Sequence, residues 1–176
     1  MSDRPPVQLR FVPLSVDHLA HVMTWVNDRE VMQYFANRQT EISPEEERRY
    51  LEMLIASRND RAWSVYDGDD YVGQTSINQI YWPARNGRVF LVVRKAMQHK
   101  GYGTAMLAGL MRLAWEDLNL HKLWLIVRKD NRTSQAMYLK QGFDFEGVLR
   151  DEYHVGGRYH DMVRMAVLRP ASGGAS

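Results

Sequence analysis

The segment VVRKAMQHKGYGTAML, from Val92 to Leu107, has the pattern most suggestive of chemistry. A β-branched run breaks into basic and glycine residues and then into an apolar helical pattern. A strand that turns through glycines into a helix collects free backbone N–H groups at the positive end of a helix dipole. We therefore expect an anion, most simply a phosphate group, to bind between this strand and this helix.

Two common phosphate-binding loops do not fit residues 98–104. A Walker loop requires a lysine directly after its second glycine, and no lysine follows Gly101 or Gly103. A dinucleotide fingerprint requires a third glycine, and Met106 stands at that position. What remains is the pattern Q-x-x-G-x-G, which begins at Gln98.

A second group of chemically capable residues lies downstream, in VRKDNRTSQAMYLKQGFDFEG. It contains Asn131, Ser134 and Tyr138, followed by the pair Gly142 and Phe143. By itself, a tyrosine on an amphipathic helix is more often a core aromatic than a catalytic group. A phenol is nevertheless protonated at neutral pH and is able to donate a proton to a leaving thiolate.

The elements around these segments follow from periodicity and turn residues. VQLRF alternates as an opening strand, and two helical patterns follow, one after Ser15 and one after the capping box that joins Ser43 and Glu46. Three strands joined by turns come next, and then the glycine turn, a helix and the strand KLWLIV form a crossover with parallel strands. A short helix ending at Gly142 and a hairpin around Gly156 complete the order βααβββαβαββ. This order predicts an α/β (α+β) fold with a mixed sheet.

The composition of the 176 residues, 45% hydrophobic and 25% charged, is typical of one globular domain. We expect residues 1–6 to be disordered, residues 7–169 to form the domain and residues 170–176 to form a flexible tail. A formal net charge of only +2 gives no reason to expect nucleic acid or an anionic membrane as a partner. The absence of cysteine, and of an apolar run of the roughly 18 residues that a membrane span needs, favours a cytoplasmic protein.

The loop formed by Gln98, Gly101 and Gly103 resembles the acyl-CoA pyrophosphate loop of the GNAT superfamily of N-acetyltransferases. Asn131 and Tyr138, with the Gly-Phe pair after them, match a second GNAT motif that follows the fifth strand. The predicted element order matches that fold over nearly the whole chain. More narrowly, LNLHKLWLIVRKDN, MYLKQGF, EGVLRDEY and GRYHDMVRM resemble the branch that holds RimJ and RimL protein N-terminal acetyltransferases, spermidine N-acetyltransferases and amino-sugar-nucleotide N-acetyltransferases.

The resemblance implies an N-acetyltransferase that uses acetyl-CoA as co-substrate and needs no metal. Tyr138 is then the general acid that protonates the departing thiolate, and Asn131 hydrogen-bonds the amides of the pantetheine arm. Lys100 and His99 are expected to add positive charge beside the pyrophosphate. The donor-binding residues implied are Leu91, Val92 and Val93 of the fourth strand, Gln98, His99, Lys100, Gly101, Tyr102, Gly103 and Thr104 of the loop, and Asn131 and Ser134.

The acceptor side is less clearly defined. Many GNAT enzymes place a glutamate base on the fourth or fifth strand, where this chain has Arg88 and Ile126. Glu30 and Glu41 are candidates for orienting an amine, although acids on such helices are usually only solvated. Spermidine acetyltransferases hold a polycation with acidic side chains where this chain has Gln79 and Arg88. We therefore expect the acceptor to be an amino sugar, a sugar nucleotide or a peptide N-terminus.

Two alternatives stay open from the sequence: a polyamine N-acetyltransferase, and a non-catalytic regulatory module that binds acyl-CoA. The missing strand carboxylates favour the module, and the intact Tyr138 argues against it. His18 and His21 stand at helical spacing, but no third ligand is near, so we predict no metal site. GNAT relatives are often dimers or larger, so a homodimer or larger homo-oligomer is a further expectation.

Overall fold

The computed structural model describes residues 8–35 and 40–171. Residues 1–6, predicted to be disordered, and most of the predicted tail lie outside this described part. The strands are β1 (Leu9–Pro13), β2 (Arg61–Asp67), β3 (Asp70–Tyr81), β4 (Asn86–Val93), β5 (Lys122–Arg128), β6 (Asp144–Val155) and β7 (Arg158–Leu168). The α-helices are α1 (Leu19–Val22), α2 (Arg29–Met32), α3 (Pro44–Ala56), α4 (Tyr102–Glu116) and α5 (Arg132–Lys140).

The seven strands form one sheet in the order β1-β2-β3-β4-β5-β7-β6. β4 and β5 are parallel, and every other neighbouring pair is antiparallel. The predicted mixed sheet is confirmed, because the crossover through α4 carries the chain back to the edge from which β4 started.

The structure differs from the predicted order after β1. The helical pattern that follows Ser15 forms a 3-10 turn at Val16–His18, the short helix α1 and, after a break, the short helix α2. The hydroxyl of Thr24 donates to the carbonyl of His21 at 2.6 Å and so competes with the helical hydrogen bonds. The carboxylate of Asp28 then accepts from two N–H groups of the next turn and starts α2. Three helices, instead of the predicted two, therefore separate β1 from β2 in the described residues.

The capping box predicted at the start of α3 is confirmed. The N–H of Glu46 donates to the Ser43 hydroxyl at 3.2 Å, and the N–H of Ser43 donates to the Glu46 carboxylate at 2.9 Å. Pro44 occupies the first turn, where its missing N–H has no cost. Leu51 and Leu54 of this helix are buried in the same hydrophobic cluster as residues of α1.

Helices cover both faces of the sheet, as the alternation of β4 shows. Val89 packs with Leu107 and Leu110 of α4, whereas Val92, an odd number of residues away, packs in the cluster of α1 and α3. Residues 88, 90 and 92 therefore face the layer that contains α1 and α3, and residues 89, 91 and 93 face α4.

β4 and β5 separate after a short ladder. They pair only between Asn86–Arg88 and Lys122–Trp124, although β4 continues to Val93 and β5 to Arg128. The sheet is therefore open between the second halves of its two central parallel strands.

Candidate active site

A cleft with a volume of about 560 Å³ fills the opening between β4 and β5. Segments of β4 and β5 form its walls, the first turn of α4 and the helix α5 close one side, and the residues around α2 reach over it. It brings together most of the residues predicted from the sequence. The predicted residues that line it are Leu91, Val92, Val93, Gln98, His99, Gly101, Gly103, Thr104, Asn131, Ser134, Tyr138, Glu30 and Arg88.

The β4 wall offers free backbone groups to the cleft. On one side, β4 pairs with β3 as far as Val93, but on the other side its ladder with β5 ends at Arg88. The N–H and C=O groups of residues 89–93 that point towards β5 therefore have no strand partner in the described residues. Buried backbone groups are nearly always paired, so this edge is suited to an extended ligand that carries amides of its own.

The turn between β4 and α4 has the geometry of an anion site. Gly101 caps α4 with a left-handed backbone, φ +85°, and no side chain caps the first turn. The N–H groups of Gly103 and Thr104 consequently lie at the positive end of a 15-residue helix, with no helical acceptor. The side-chain amide of Gln98 donates to the carbonyl of Val93 at 3.0 Å, which ties the turn to the end of the β4 wall.

Two loop residues are placed differently from the expectation. The ammonium group of Lys100 donates to the carbonyl of Ala96 at 2.8 Å, and its side chain does not line the cleft. The ring of Tyr102 is 4% exposed and its hydroxyl donates to Asp67 at 2.5 Å. A helix start turns successive side chains in different directions, so Tyr102 is a core residue that leaves only its backbone near the turn.

Asn131 and Ser134 lie at the start of α5, and both line the cleft. The side-chain oxygen of Asn131 accepts from the N–H of Ser134 at 3.2 Å and caps the helix. Asn131 is 8% exposed, so the cap fixes a nearly buried side chain at the wall. Its amide nitrogen has no partner among the described residues and is available as a donor.

Tyr138 lies on α5 and lines the cleft together with residues of β4. Its ring packs beside that of Phe143, with 5.7 Å between the ring centres. The hydroxyl has no hydrogen-bond partner in the part of the chain that the structure describes. Burial raises the pKa of Tyr138 to about 12, so the phenol remains protonated at any working pH.

The far end of the cleft contains an arginine without a carboxylate partner. Arg88 donates to the hydroxyl of Tyr153 at 3.0 Å and lies 5.8 Å from the ring centre of Trp124. No described carboxylate forms an ion pair with it. The predicted positive charge on this side is therefore present.

The three other predicted acceptor residues are spread more widely than expected. Glu30 lines the cleft, but its carboxylate pairs with Lys95 at 2.8 Å. Glu41 is exposed and does not line the cleft. Gln79 is exposed at a break in the β3–β4 ladder, with φ +53°, and its N–H donates to Asp60. Asn78, the last residue paired in register before this break, stands opposite Arg88, and Gln79 does not line the cleft.

Several lining residues were not anticipated from the sequence. Tyr153 reaches the cleft from β6, and Arg128 of β5 donates to the carbonyl of Gln33 at 3.0 Å and lies 5.3 Å from the ring centre of Tyr34. The only signal for Arg128 was its position three residues before Asn131, at the end of the KLWLIVRKDN segment. No local pattern connects residues so far apart, and strand pairing alone joins them.

The described residues contain no group of three or more His, Cys, Asp or Glu side chains placed to hold a metal ion. None of the helices among them combines the length and apolar character needed to span a bilayer.

Comparison with known proteins identifies the family of the chain. Residues 8–144 match the family model described as an acetyltransferase (GNAT) domain. Spermidine N(1)-acetyltransferase of Escherichia coli (strain K12) is 29% identical over 163 residues, 93% of this chain and 86% of that protein. The corresponding enzyme of Vibrio cholerae is 27% identical over 92% of this chain and 94% of its own.

The fold is also similar to a crystal structure of spermidine N-acetyltransferase from Vibrio cholerae in complex with CoA and spermine. The TM-score is 0.86 at 26% sequence identity, over 92% of this chain and 95% of that one. The family match covers most of the chain and favours an enzyme over the non-catalytic regulatory module. The chain belongs to the GNAT acetyltransferases and is an acetyl-CoA-dependent N-acetyltransferase.

Proposed function

We propose that the cleft binds acetyl-CoA along β4 and transfers its acetyl group directly to a primary amine in a ternary complex. The unpaired backbone edge of residues 89–93, which lines the same cleft as Tyr138, is the observation that carries this proposal. The edge provides partners for the pantetheine amides, and the uncapped first turn of α4 provides N–H groups for the pyrophosphate. Asn131 adds a side-chain amide donor on the opposite wall.

Acetyl-CoA supplies a thioester: the amine nitrogen attacks the carbonyl carbon, the C–N bond forms and the C–S bond breaks. The edge of β4 holds the donor and presents an N–H group to the carbonyl oxygen. Tyr138 donates its proton to the departing sulfur. The amine nitrogen loses a proton to solvent, and solvent returns a proton to the phenolate of Tyr138. The products are an amide and a free thiol, and Tyr138 ends the cycle protonated.

The high pKa of Tyr138 limits how this proton moves. A thiol has a reference pKa near 8.5, well below the value of about 12 for the phenol of Tyr138. Full transfer from Tyr138 to a free thiolate is therefore uphill. The proton must pass as the C–S bond breaks, while charge develops on sulfur and the amine proton becomes available to restore the phenol.

The acceptor class follows from the charges of the described lining residues. Their single carboxylate, Glu30, is paired with Lys95, whereas Arg88 has no anionic partner. A polycation meets an unfavourable charge here, and an amino sugar, a sugar nucleotide or a peptide N-terminus does not. A polyamine is the second candidate, because relatives that span most of this chain are named spermidine acetyltransferases.

The test measures thiol release from acetyl-CoA with a panel of amino sugars, sugar nucleotides, dipeptides and polyamines, and identifies products by mass spectrometry. We expect amine-dependent release that is greatest for an amino sugar, a sugar nucleotide or a peptide. If spermidine has the highest kcat/KM, the acceptor is instead a polyamine, the second candidate. Intact acetyl-CoA binding without amine-dependent release from any class would contradict the proposed reaction.

A further inference from the structure

We infer that Arg88 and Tyr153 form a specificity site for an anionic group, a phosphate or a carboxylate, on the acceptor. This inference rests on the proposed transfer to a primary amine and adds the chemical class that the amine must carry. The pair lies in the cleft at the end opposite the anion-binding turn of α4.

The position of Arg88 follows from strand geometry. Arg88 and Val93 lie on the same strand, and Val93 is tied to the turn through Gln98. Five residues of extended chain span about 17 Å. A donor whose pyrophosphate lies at the turn and whose arm follows β4 therefore brings its acetyl group towards Arg88, and the acceptor approaches from the side of the guanidinium.

The guanidinium of Arg88 has unused hydrogen-bonding capacity. Arginine carries five N–H donors, and only the one to the hydroxyl of Tyr153 is occupied among the described residues. The neighbouring ring of Trp124 leaves one face of the guanidinium apolar and keeps the fork in place. A fixed arginine fork with free donors matches the paired oxygens of a phosphate or carboxylate.

Asp60, an acidic group in the same region as Arg88, is engaged by other residues. Burial, followed by the charges of Glu47 and Asp60, raises the pKa of Tyr50, and the charge of Arg88 lowers it, so these groups share one region. Asp60 is engaged by the hydroxyl of Ser57 and the N–H of Gln79. None of the ion pairs among the described residues joins Asp60 to Arg88.

Tyr153 is aimed at Arg88 by an irregularity of β6. The β6–β7 register shifts between Leu149 and Tyr153, with Asp151 in a left-handed conformation, φ +51°. The N–H of Asp151 donates to the carboxylate of Asp161 on β7 at 3.2 Å, which holds the bulge. Bulges commonly redirect a side chain next to a functional site, and here the redirected hydroxyl orients an arginine. Tyr153 is accordingly a positioning residue.

The experiment compares amines that differ only in the anion: glucosamine with glucosamine 6-phosphate, and the dipeptide amides Ala-Asn with Ala-Asp. The two pairs separate a phosphate from a carboxylate as the preferred group. We expect wild type to favour the anionic member of at least one pair in kcat/KM. Arg88→Gln should lower that preference by about 10- to 100-fold, Arg88→Lys should retain part of it, and Tyr153→Phe should lower it by less.

Arg164→Gln is the matched control. Arg164 also stacks on Trp124, at 4.1 Å from the ring centre, but pairs with Glu146 and does not line the cleft, so the preference should be unchanged. Acetyl-CoA affinity, measured for every variant, verifies folding. If Arg88→Gln does not fold, the specificity site is tested by the anion preference of wild type and by the loss of that preference in Tyr153→Phe.

Equal kcat/KM within both wild-type pairs, or an equal loss for both members in Arg88→Gln, would overturn the specificity site while leaving acetyl transfer intact. Binding of the four amines to the enzyme with CoA provides a readout that is independent of turnover. Tighter binding of an anionic amine that depends on Arg88 would support the site even if no amine were acetylated, and the proposed reaction alone would then fail.

Discussion

Replacing Tyr138 by phenylalanine separates a catalytic tyrosine from a core tyrosine. The substitution keeps the ring that packs beside Phe143 and removes only a hydroxyl that has no partner among the described residues. The free energy of unfolding should therefore change by less than about 0.5 kcal/mol, because no hydrogen bond is broken and no cavity larger than one oxygen is left.

The effect on turnover should be much larger than the effect on stability. A positioned general acid contributes about 100- to 10,000-fold, which corresponds to about 3–5 kcal/mol of activation free energy. We expect kcat of Tyr138→Phe to fall by this factor while the affinity for acetyl-CoA stays within about threefold. The assay combines steady-state kinetics of thiol release, acetyl-CoA binding by calorimetry and thermal unfolding.

Tyr71→Phe is the control with the opposite expectation. The hydroxyl of Tyr71 accepts from the indole N–H of Trp25 at 3.0 Å in the core, away from the cleft. Its removal should destabilise the protein by about 1–3 kcal/mol and leave kcat unchanged. A kcat of Tyr138→Phe within threefold of wild type would refute the assignment of Tyr138 as the acid.

Three further predictions concern the same cleft. Because burial raises the pKa of Tyr138 to about 12, the acid stays protonated below that value, and kcat should not decline between pH 8 and about pH 10.5; an alkaline limb near the reference pKa of 10 would contradict this environment. Gly101→Val should raise the KM for acetyl-CoA more than it lowers kcat, since the new side chain projects into open space at the anion turn and its φ of +85° adds strain; an unchanged KM would remove this turn from donor binding. Gly73→Ala should lower the free energy of unfolding by about 2 kcal/mol or more and raise the KM for acetyl-CoA, because its Cβ would lie 2.0 Å from the Val92 carbonyl oxygen. The control Gly147→Ala meets no atom within 4 Å and should have little effect in the same thermal unfolding and kinetic measurements.

The local elements were predictable because their signals are local. The capping box at Ser43 and the glycines of the turn after β4 each specify a backbone conformation within a few residues, and the structure contains both. The interrupted helix after β1 was not predicted, because apolar spacing alone does not reveal that the Thr24 hydroxyl competes for a helical carbonyl.

The residues proposed to bind the donor are largely those singled out from the sequence. They form three segments, the end of β4, the turn from Gln98 to Thr104 and the start of α5, and all three line the cleft. Even there, the direction of individual side chains was not readable: Tyr102 packs in the core and Lys100 bonds to its own turn. Side-chain direction depends on where the helix starts, which sequence reasoning fixes only within a few residues.

The acceptor half was decided by tertiary structure. Arg88 was visible as a charge, but its partner Tyr153 lies on another strand and reaches it only through the bulge of β6. Likewise, Gln79 lies in a break of the β3–β4 ladder, beyond the Asn78–Arg88 pair, and does not line the cleft. Sequence alone determined the chemistry available in this protein, because motifs are local. The tertiary structure decided which of those groups share one cleft, because register shifts and strand separation depend on contacts between segments distant in the chain.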